Sequence, residues 1–362
     1  MTSRSRLLPI ILVSTLLVAC DRKAIFVESC EPVGKMEPIC LFSNPEDIEA
    51  LPDGKTLLIS QMGMNMEQSA PGSLVFFDTL TGKVTSAQPP ADAPSGDVWG
   101  APNCPGNPRA TIAPHGTSLK QRDDKRWQLA VVNHGGRESI ELYELLTDTN
   151  PPQLAWRGCV PAETGMFIND VAVLKNGGLI ASNMFDKHAP SVFGLNTGAL
   201  KAMFGINTGY VMEWQRSGGF RVLEGSHARF VNGVEISPDN KTVFANVYFG
   251  GEMLKLDRTS GKRLGSVPMT KGDNLAWDTK GNLLALSHTG STTEQIDCMK
   301  QPGRTCALEY TLLRINPETL KSEILLIYSG APMGAATVAR ELNGSLYLGS
   351  FTGNRIVKMP YP

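Results

Sequence analysis

A turn built from Asp, Asn or Lys beside Gly or Asn, followed at once by a short apolar run, recurs along the whole chain. It stands as "LPDGKTLLIS" (51–60), "LKNGGLIASN" (174–183), "SPDNKTVFANV" (237–247), "DTKGNLLALSH" (278–288) and "ELNGSLYLGS" (341–350), with "RDDKRWQLAVVN" (122–133) as a sixth, looser copy. The turn residues tolerate positive φ and the residues after them suit strands. A second strand often follows, as in "EMLKLDRTSGKRL" (252–264) and "NRIVKMPYP" (354–362). Six units leave roughly 50–60 residues each, enough for a four-stranded blade with its loops. No segment shows sustained helical periodicity, and 36 glycines with 24 prolines favour turns over helices. A pair of β-sandwiches would also use many hairpins, but evenly spread hairpin signals favour radial repetition. The expectation is an all-β chain, a six-bladed β-propeller over residues 43–362.

The start of the chain reads differently. Arg4 and Arg6 precede "LLPIILVSTLLVA" (7–19), an apolar run too short to span a bilayer comfortably and placed like an export signal. The run ends in "LVAC", which resembles a bacterial lipoprotein lipobox. Residues 1–19 are then a lipoprotein signal peptide, Cys20 the lipidated first mature residue and 20–42 a tether and lead-in. The expected location is the bacterial cell envelope, lipid-anchored and facing the periplasm, or else secreted. Asp21 after that cysteine would suggest the inner membrane in enteric bacteria. Over the whole chain 34 basic and 35 acidic residues are mixed, without the basic patch that nucleic acid requires.

Export makes the other cysteines disulfide candidates. Cys30, Cys40, Cys104, Cys159, Cys298 and Cys306 are an even set in an oxidising compartment, with about 15 possible pairings. Cys298–Cys306 and Cys30–Cys40 could close short loops, which would leave Cys104–Cys159 as a long-range staple. The spacing has no C-x-x-C, which argues against a zinc or redox role.

Acids and amides collect just before the apolar strands. They are Glu46 and Asp47 in "PEDIEALPDG", Asn169 and Asp170 in "MFINDVAVLKNG", Asn232 in "FVNGVEISPDN", and Asp273 and Asn274 in "KGDNLAWDTKG". Taken singly, an Asx residue before a strand is usually a turn former. Equivalent positions in propeller blades, however, point to one central channel. Carboxylates converging there repel unless a cation compensates them, and mixed Asp, Glu and Asn oxygens suit Ca²⁺.

These stretches, in order, resemble the paraoxonase/arylesterase family of calcium-dependent lactonases, and more broadly the gluconolactonase and strictosidine-synthase-like propellers. The likeness covers about residues 43–352. It rests on "PEDIEALPDG", "PHGTS", "VVNHGGRESIELYEL", "FINDVAVL", "FVNGVEISPD", "GDNLAWD", "LLALSH" and "GAATVARELNGSLYLGSF". The resemblance implies two calcium ions in the channel. One, catalytic, would be held by Glu46, Asn169, Asn232, Asp273 and Asn274. The other, structural, would be held by Asp47, Asp170 and the Thr117 carbonyl. Each set supplies two carboxylates, formally enough to neutralise one divalent ion.

By the same resemblance His115 in "PHG" and His134 in "NHGG" match a histidine pair that activates water. His288 and Asn183 would contact substrate, whereas His188 and His227 fall in loops. On their residues alone, His115 and His134 are better read as imidazoles that only hydrogen-bond loops. The chain also departs from the family. No late cysteine ties its termini, the stretch 95–108 differs, and Met184 and Phe185 replace an acid and a histidine that follow Asn183 in the relatives.

The mechanism so implied is hydrolysis of a lactone or aryl ester, with Ca²⁺ polarising the carbonyl and His115 taking a proton from water. G-x-S-x-G and H-E-x-x-H are both absent, which removes the usual serine-hydrolase and zincin signatures. A sugar lactonase on the same metal site is an alternative. So is a non-catalytic, calcium-stabilised envelope propeller that binds a partner.

Overall fold

A computed structural model describes residues 23–63, 71–87, 97–108, 111–149, 151–192 and 194–362. The expected signal peptide and Cys20 lie outside the described residues. Six four-stranded antiparallel sheets follow one another around a ring, so the propeller expectation holds. The innermost strands are Pro45–Ala50, Pro114–Gln121, Ile168–Val173, Val231–Ile236, Gly272–Trp277 and Ala336–Leu342, one from each blade in chain order. Each repeated turn-and-strand segment forms the hairpin between the first and second strands of a blade.

The apolar runs after those turns are continuous rather than alternating because both faces of each blade are covered. Leu129 and Val131 face blade one, in a cluster with Leu58, Leu74 and Phe76. Ala130 and Val132, one residue out of step, face blade three with Val171, Val173 and Leu179. Four further clusters fill the remaining gaps, so the core is a ring of six inter-blade interfaces. Two stacked sandwiches would lack that ring.

The ring closes with strands from both chain ends. Glu37–Ile39 pairs with Ile356–Pro360 and supplies the outer strand of the last blade. The lead-in expected over 20–42 therefore contributes to the propeller itself, and the blade structure begins at residue 37. The disulfides are Cys30–Cys40, Cys104–Cys159 and Cys298–Cys306. The first brackets the closing strand. The second fastens the segment around residues 97–104 to the outer strand of blade two, where Ala101 N donates to Cys159 O at 2.8 Å. Three disulfides suit an oxidising, extracytoplasmic setting. No described helix is long and apolar enough to cross a membrane.

Two short helices interrupt the all-β pattern. Helix α1 (Thr197–Met203) sits between the second and third strands of blade three, and α2 (Thr292–Met299) at the same place in blade five. Asn196 caps α1 by accepting from Gly198 N. Ser291 and Glu294 form a reciprocal capping box on α2, which lets a helix of two turns persist. Both helices flank the same end of the channel.

Candidate active site

Every inner strand carries a bulge within its first residues. The pairing slips by one between Pro45 and Asp47, Pro114 and Thr117, Ile168 and Val171, Val231 and Val234, Gly272 and Leu275, and Ala336 and Ala339. A bulge re-aims a side chain that a regular strand would bury against a neighbour. Here Glu46, His115, Asn169, Asn232, Asp273 and Thr337 are turned, one per blade, onto the floor of a single cavity of about 380 Å³.

The crowding at this ring explains two glycines. A Cβ on Gly116 would lie 2.4 Å from Asp170 Oδ1 and 2.7 Å from its Cα; one on Gly233 would lie 2.4 Å from Asp273 O. Glycine after His115 and after Asn232 lets adjacent inner strands approach at the bulge.

The amide nitrogens at the ring are committed to partners, and this orients their oxygens. Asn274 Nδ2 donates to Glu46 Oε1 at 2.8 Å, and Asn169 Nδ2 approaches Met184 Sδ at 3.4 Å. Glu46 Oε2 and the Oδ1 atoms of Asn169, Asn232 and Asn274 are left buried with no hydrogen-bond partner. Burial, then the charges of Asp47 and Asp273, raise the Glu46 carboxyl well above its ordinary value. Burial pushes Asp273 up to about 8, against the hydrogen bond from Asn232. Buried oxygens that want positive charge and have none are what a hard cation would satisfy. Among the described residues no group of three or more His, Cys, Asp or Glu could hold a metal, so amide oxygens would have to share in any such site.

One level down the situation differs. Asp47 Oδ1 accepts from Ile48 N, and its Oδ2 from Thr117 N at 2.6 Å and Thr117 Oγ1 at 2.8 Å. Asp170 Oδ1 accepts from Val171 N and its Oδ2 from Val234 N, each at 2.8 Å. Of the expected second set, the four carboxylate oxygens of Asp47 and Asp170 already have donors. A resident cation lies close by: Arg340 donates to Ile48 O at 2.8 Å and pairs with Glu49 Oε2 at 3.1 Å. It is the largest influence offsetting burial at Asp47. The carboxylates of the lower set thus differ from the bare oxygens of the ring above in having donors.

His115 and His134 are brought together as expected. His115 Nδ1 lies 3.3 Å from His134 Nε2, and His115 Nε2 lies 3.6 Å from Glu46 Oε1. Burial, then the neighbouring His134, lowers His115 well below the ordinary imidazole value, so its ring is neutral at pH 7. His288 stands across the cavity, 2.9 Å from the Tyr248 hydroxyl and 3.5 Å from Asp273 Oδ2, and burial lowers it to about 4. His188 and His227 lie in loops.

Asn183, expected to contact substrate, stands behind the residues that line the cavity. It ends the second strand of blade three, and its Oδ1 accepts from Phe167 N at 2.8 Å. Asn133 does the same for Ala113 N in blade two. Both pin the chain where it turns into an inner strand. Two participants had gone unread. Thr337 completes the ring, and Glu138 contacts His134. Thr337 stands seven residues before the positive-φ Gly344, whereas Glu46, Asn169, Asn232 and Asp273 each stand eight before Gly54, Gly177, Asn240 and Gly281, so aligning the copies on their turns points to Ala336, one residue short of it.

The family model for arylesterases matches residues 36–356. The chain belongs to the arylesterase family. No curated protein matches this family member in sequence. Among solved structures it resembles a gluconolactonase from Xanthomonas campestris, at 14% identity and TM-score 0.52 over 90% of this chain and 89% of that one. It also resembles a luciferin-regenerating enzyme, at 12% identity and TM-score 0.53 over 88% and 92%. A putative gluconolactonase matches at 13% identity and TM-score 0.50 over 91% and 93%. At these identities the likeness is one of fold.

Proposed function

We propose that this arylesterase-family propeller is a cation-dependent hydrolase of lactones or aryl esters, acting at the bulge ring. The observation that carries the reading is the set of four unpartnered buried oxygens, on Glu46, Asn169, Asn232 and Asn274, beside the paired rings of His115 and His134. With Asp273 these residues would hold one Ca²⁺, whose charge Glu46 and Asp273 would balance. When bound, the ion supplies positive charge where a carbonyl oxygen gathers negative charge during attack.

The chain's own groups do the rest. His115, kept neutral by burial, accepts a proton from water through Nε2, the nitrogen on the Glu46 side. His134 supports the opposite nitrogen of that ring and spreads the positive charge that forms. The walls above the ring are largely apolar, with Phe167, Phe185, Phe230, Phe249, Met184 and Phe351. Water there is scarce and the acyl or aryl part of a substrate finds its match.

The two neighbours named as gluconolactonases support a lactone as the substrate bond. The test is hydrolysis of phenyl acetate and a lactone panel with and without EDTA, in the native protein and in His115→Ala. Turnover that is lost on chelation, restored by calcium and absent in His115→Ala is expected. Activity unchanged by either treatment sinks the reading, and bound calcium without turnover would favour a binding propeller.

A further inference from the structure

His134 has a second partner. Its Nδ1 lies 3.0 Å from Glu138 Oε1 and 2.9 Å from Oε2, while its Nε2 faces His115. Glu138 stands on the turn after the second strand of blade two, beyond Gly135 and Gly136. It is held from three sides. Ile168 N, at the head of the next inner strand, donates to Oε1 at 2.9 Å, Lys187 Nζ donates to Oε2 at 2.6 Å, and His134 completes the set. Lys187 also lies 5.0 Å over the Phe167 ring, which packs edge-on against His134. Burial works against ionisation of Glu138, but His134 and Lys187 outweigh it and keep the carboxyl below its ordinary value.

An ionised carboxylate can only accept, so His134 must present Nδ1–H to it. In the state where His134 carries one proton, its lone pair then sits on Nε2 and can only accept from His115. His115 therefore carries its proton on Nδ1, which leaves Nε2 free on the cavity side near Glu46. One carboxylate thus decides the state of two rings.

We propose that Glu138, locked by Lys187, is the positioning residue that fixes both tautomers and so makes His115 Nε2 the free base. The idea rests on the hydrolase reading above. The proton balance is simple. Water gives a proton to His115 Nε2; His115 can pass its Nδ1 proton to His134 Nε2, and Glu138 faces the resulting imidazolium without taking a proton itself.

Nitrogen-15 imidazole spectra of the native calcium-loaded protein at pH 7 test the tautomers directly. The expected pattern is Nδ1–H on both His115 and His134; an Nε2–H tautomer on His134 overturns the proposal. In Glu138→Gln one carbonyl cannot serve both His134 and Ile168, and a neutral amide cannot balance an imidazolium. Turnover of phenyl acetate should fall about 100-fold in kcat with KM changed less than about twofold. Lys187→Met, at the more exposed end of the chain of contacts, should fall by about tenfold and serves if Glu138→Gln does not fold. Unchanged kcat in both folded variants overturns the proposal. Native tautomers as expected in a protein that cleaves no ester would support the positioning and overturn the hydrolase reading.

Discussion

Asn274 Nδ2 donates to Glu46 Oε1 at 2.8 Å across the channel, joining blade five to blade one, and leaves Asn274 Oδ1 and Glu46 Oε2 both without partners. That one bond sets the direction of two of the ring's oxygens. Asn274→Ala removes one oxygen and frees the Glu46 carboxylate to swing away. Calcium affinity, read by competition with a chelator, should fall by about 10–100-fold. Asn274→Asp keeps the oxygen but loses the donor, and sets a new charge against Glu46. An Asn274→Ala protein that binds calcium as tightly as the native one would show that the ion sits elsewhere.

Several buried carboxyls raised above their ordinary values, Glu46, Asp170, Asp273 and Glu49 among them, give the cation-free protein an unusual pH response. Burial pushes Asp273 and Glu49 up to about 8. Unfolded, each titrates near pH 4. Between those values the fold keeps protons that the unfolded chain has lost, so stability must fall as pH rises from about 4 to about 8. Melting of EDTA-treated protein at pH 5, 6, 7 and 8 should show that decline. With calcium the slope should flatten, because the ion takes the place of the proton at Asp273. Glu49 pairs with Arg340 rather than facing the ring, and should leave a residual slope. Melting that is independent of pH in EDTA, or a slope that calcium does not change, would remove the ring as the cation site.

Much of this was legible in the chain. The turn-and-strand copies marked the hairpins of all six blades because polar, positive-φ turns and short apolar runs are local signals. The oxygen positions of Glu46, Asn169, Asn232 and Asp273 were legible for the same reason, since each stands eight residues before the positive-φ residue of its turn. Long-range choices were not. Asn183 resembles a cavity residue by position, yet its side chain caps the approach to an inner strand. "STTE" at 291–294 carries the capping box of α2, but two turns of helix are too short to show apolar periodicity. Glu138 reads as one more acid in a polar turn, and only the packing of blades two and three brings His134, Ile168 and Lys187 to it. Arg340 likewise resembles a surface arginine in "VARELNG", although it is buried beside Glu49.

Gly116 is where the histidine motif depends on close backbone approach. A Cβ there meets the Cα of Asp170 at 2.7 Å and Asn169 O at 2.8 Å, and neither can move without shifting the next inner strand. Gly116→Ala should therefore cost about 1–3 kcal/mol in chemical denaturation. It should also cost activity, because the same shift displaces His115 and Asn169 together. Gly54→Ala is a useful contrast: its Cβ would meet nothing, so its cost comes from a positive φ of 69° alone. Loss of turnover at residue 54 comparable to that at residue 116 would mean that stability, and not the ring, governs the effect.

The walls of the cavity decide between apolar and sugar-like substrates. The bulge ring gives the floor its carboxylates and amides, and Asn196, Thr292 and Gln295 add polar groups at the two helices, whereas Phe185, Phe230, Phe249, Met203 and Met299 form much of the rim and sides. A hydroxyl of a sugar lactone buried against such a wall without a partner costs about 1–3 kcal/mol, and a sugar lactone brings several. An aryl ester or alkyl-substituted lactone carries no such penalty. The ratio of kcat/KM for phenyl acetate to that for gluconolactone should therefore exceed about tenfold. Phe230 touches both the Phe185 and Tyr248 rings, at 5.3 and 5.4 Å between centroids, and so links the wall across the mouth. Phe230→Ala should lower kcat/KM for the aryl ester by about tenfold, through KM, and leave a methyl ester nearly unaffected. Faster turnover of gluconolactone than of phenyl acetate, or a Phe230→Ala effect equal on both esters, would mean that the leaving group lies away from this wall.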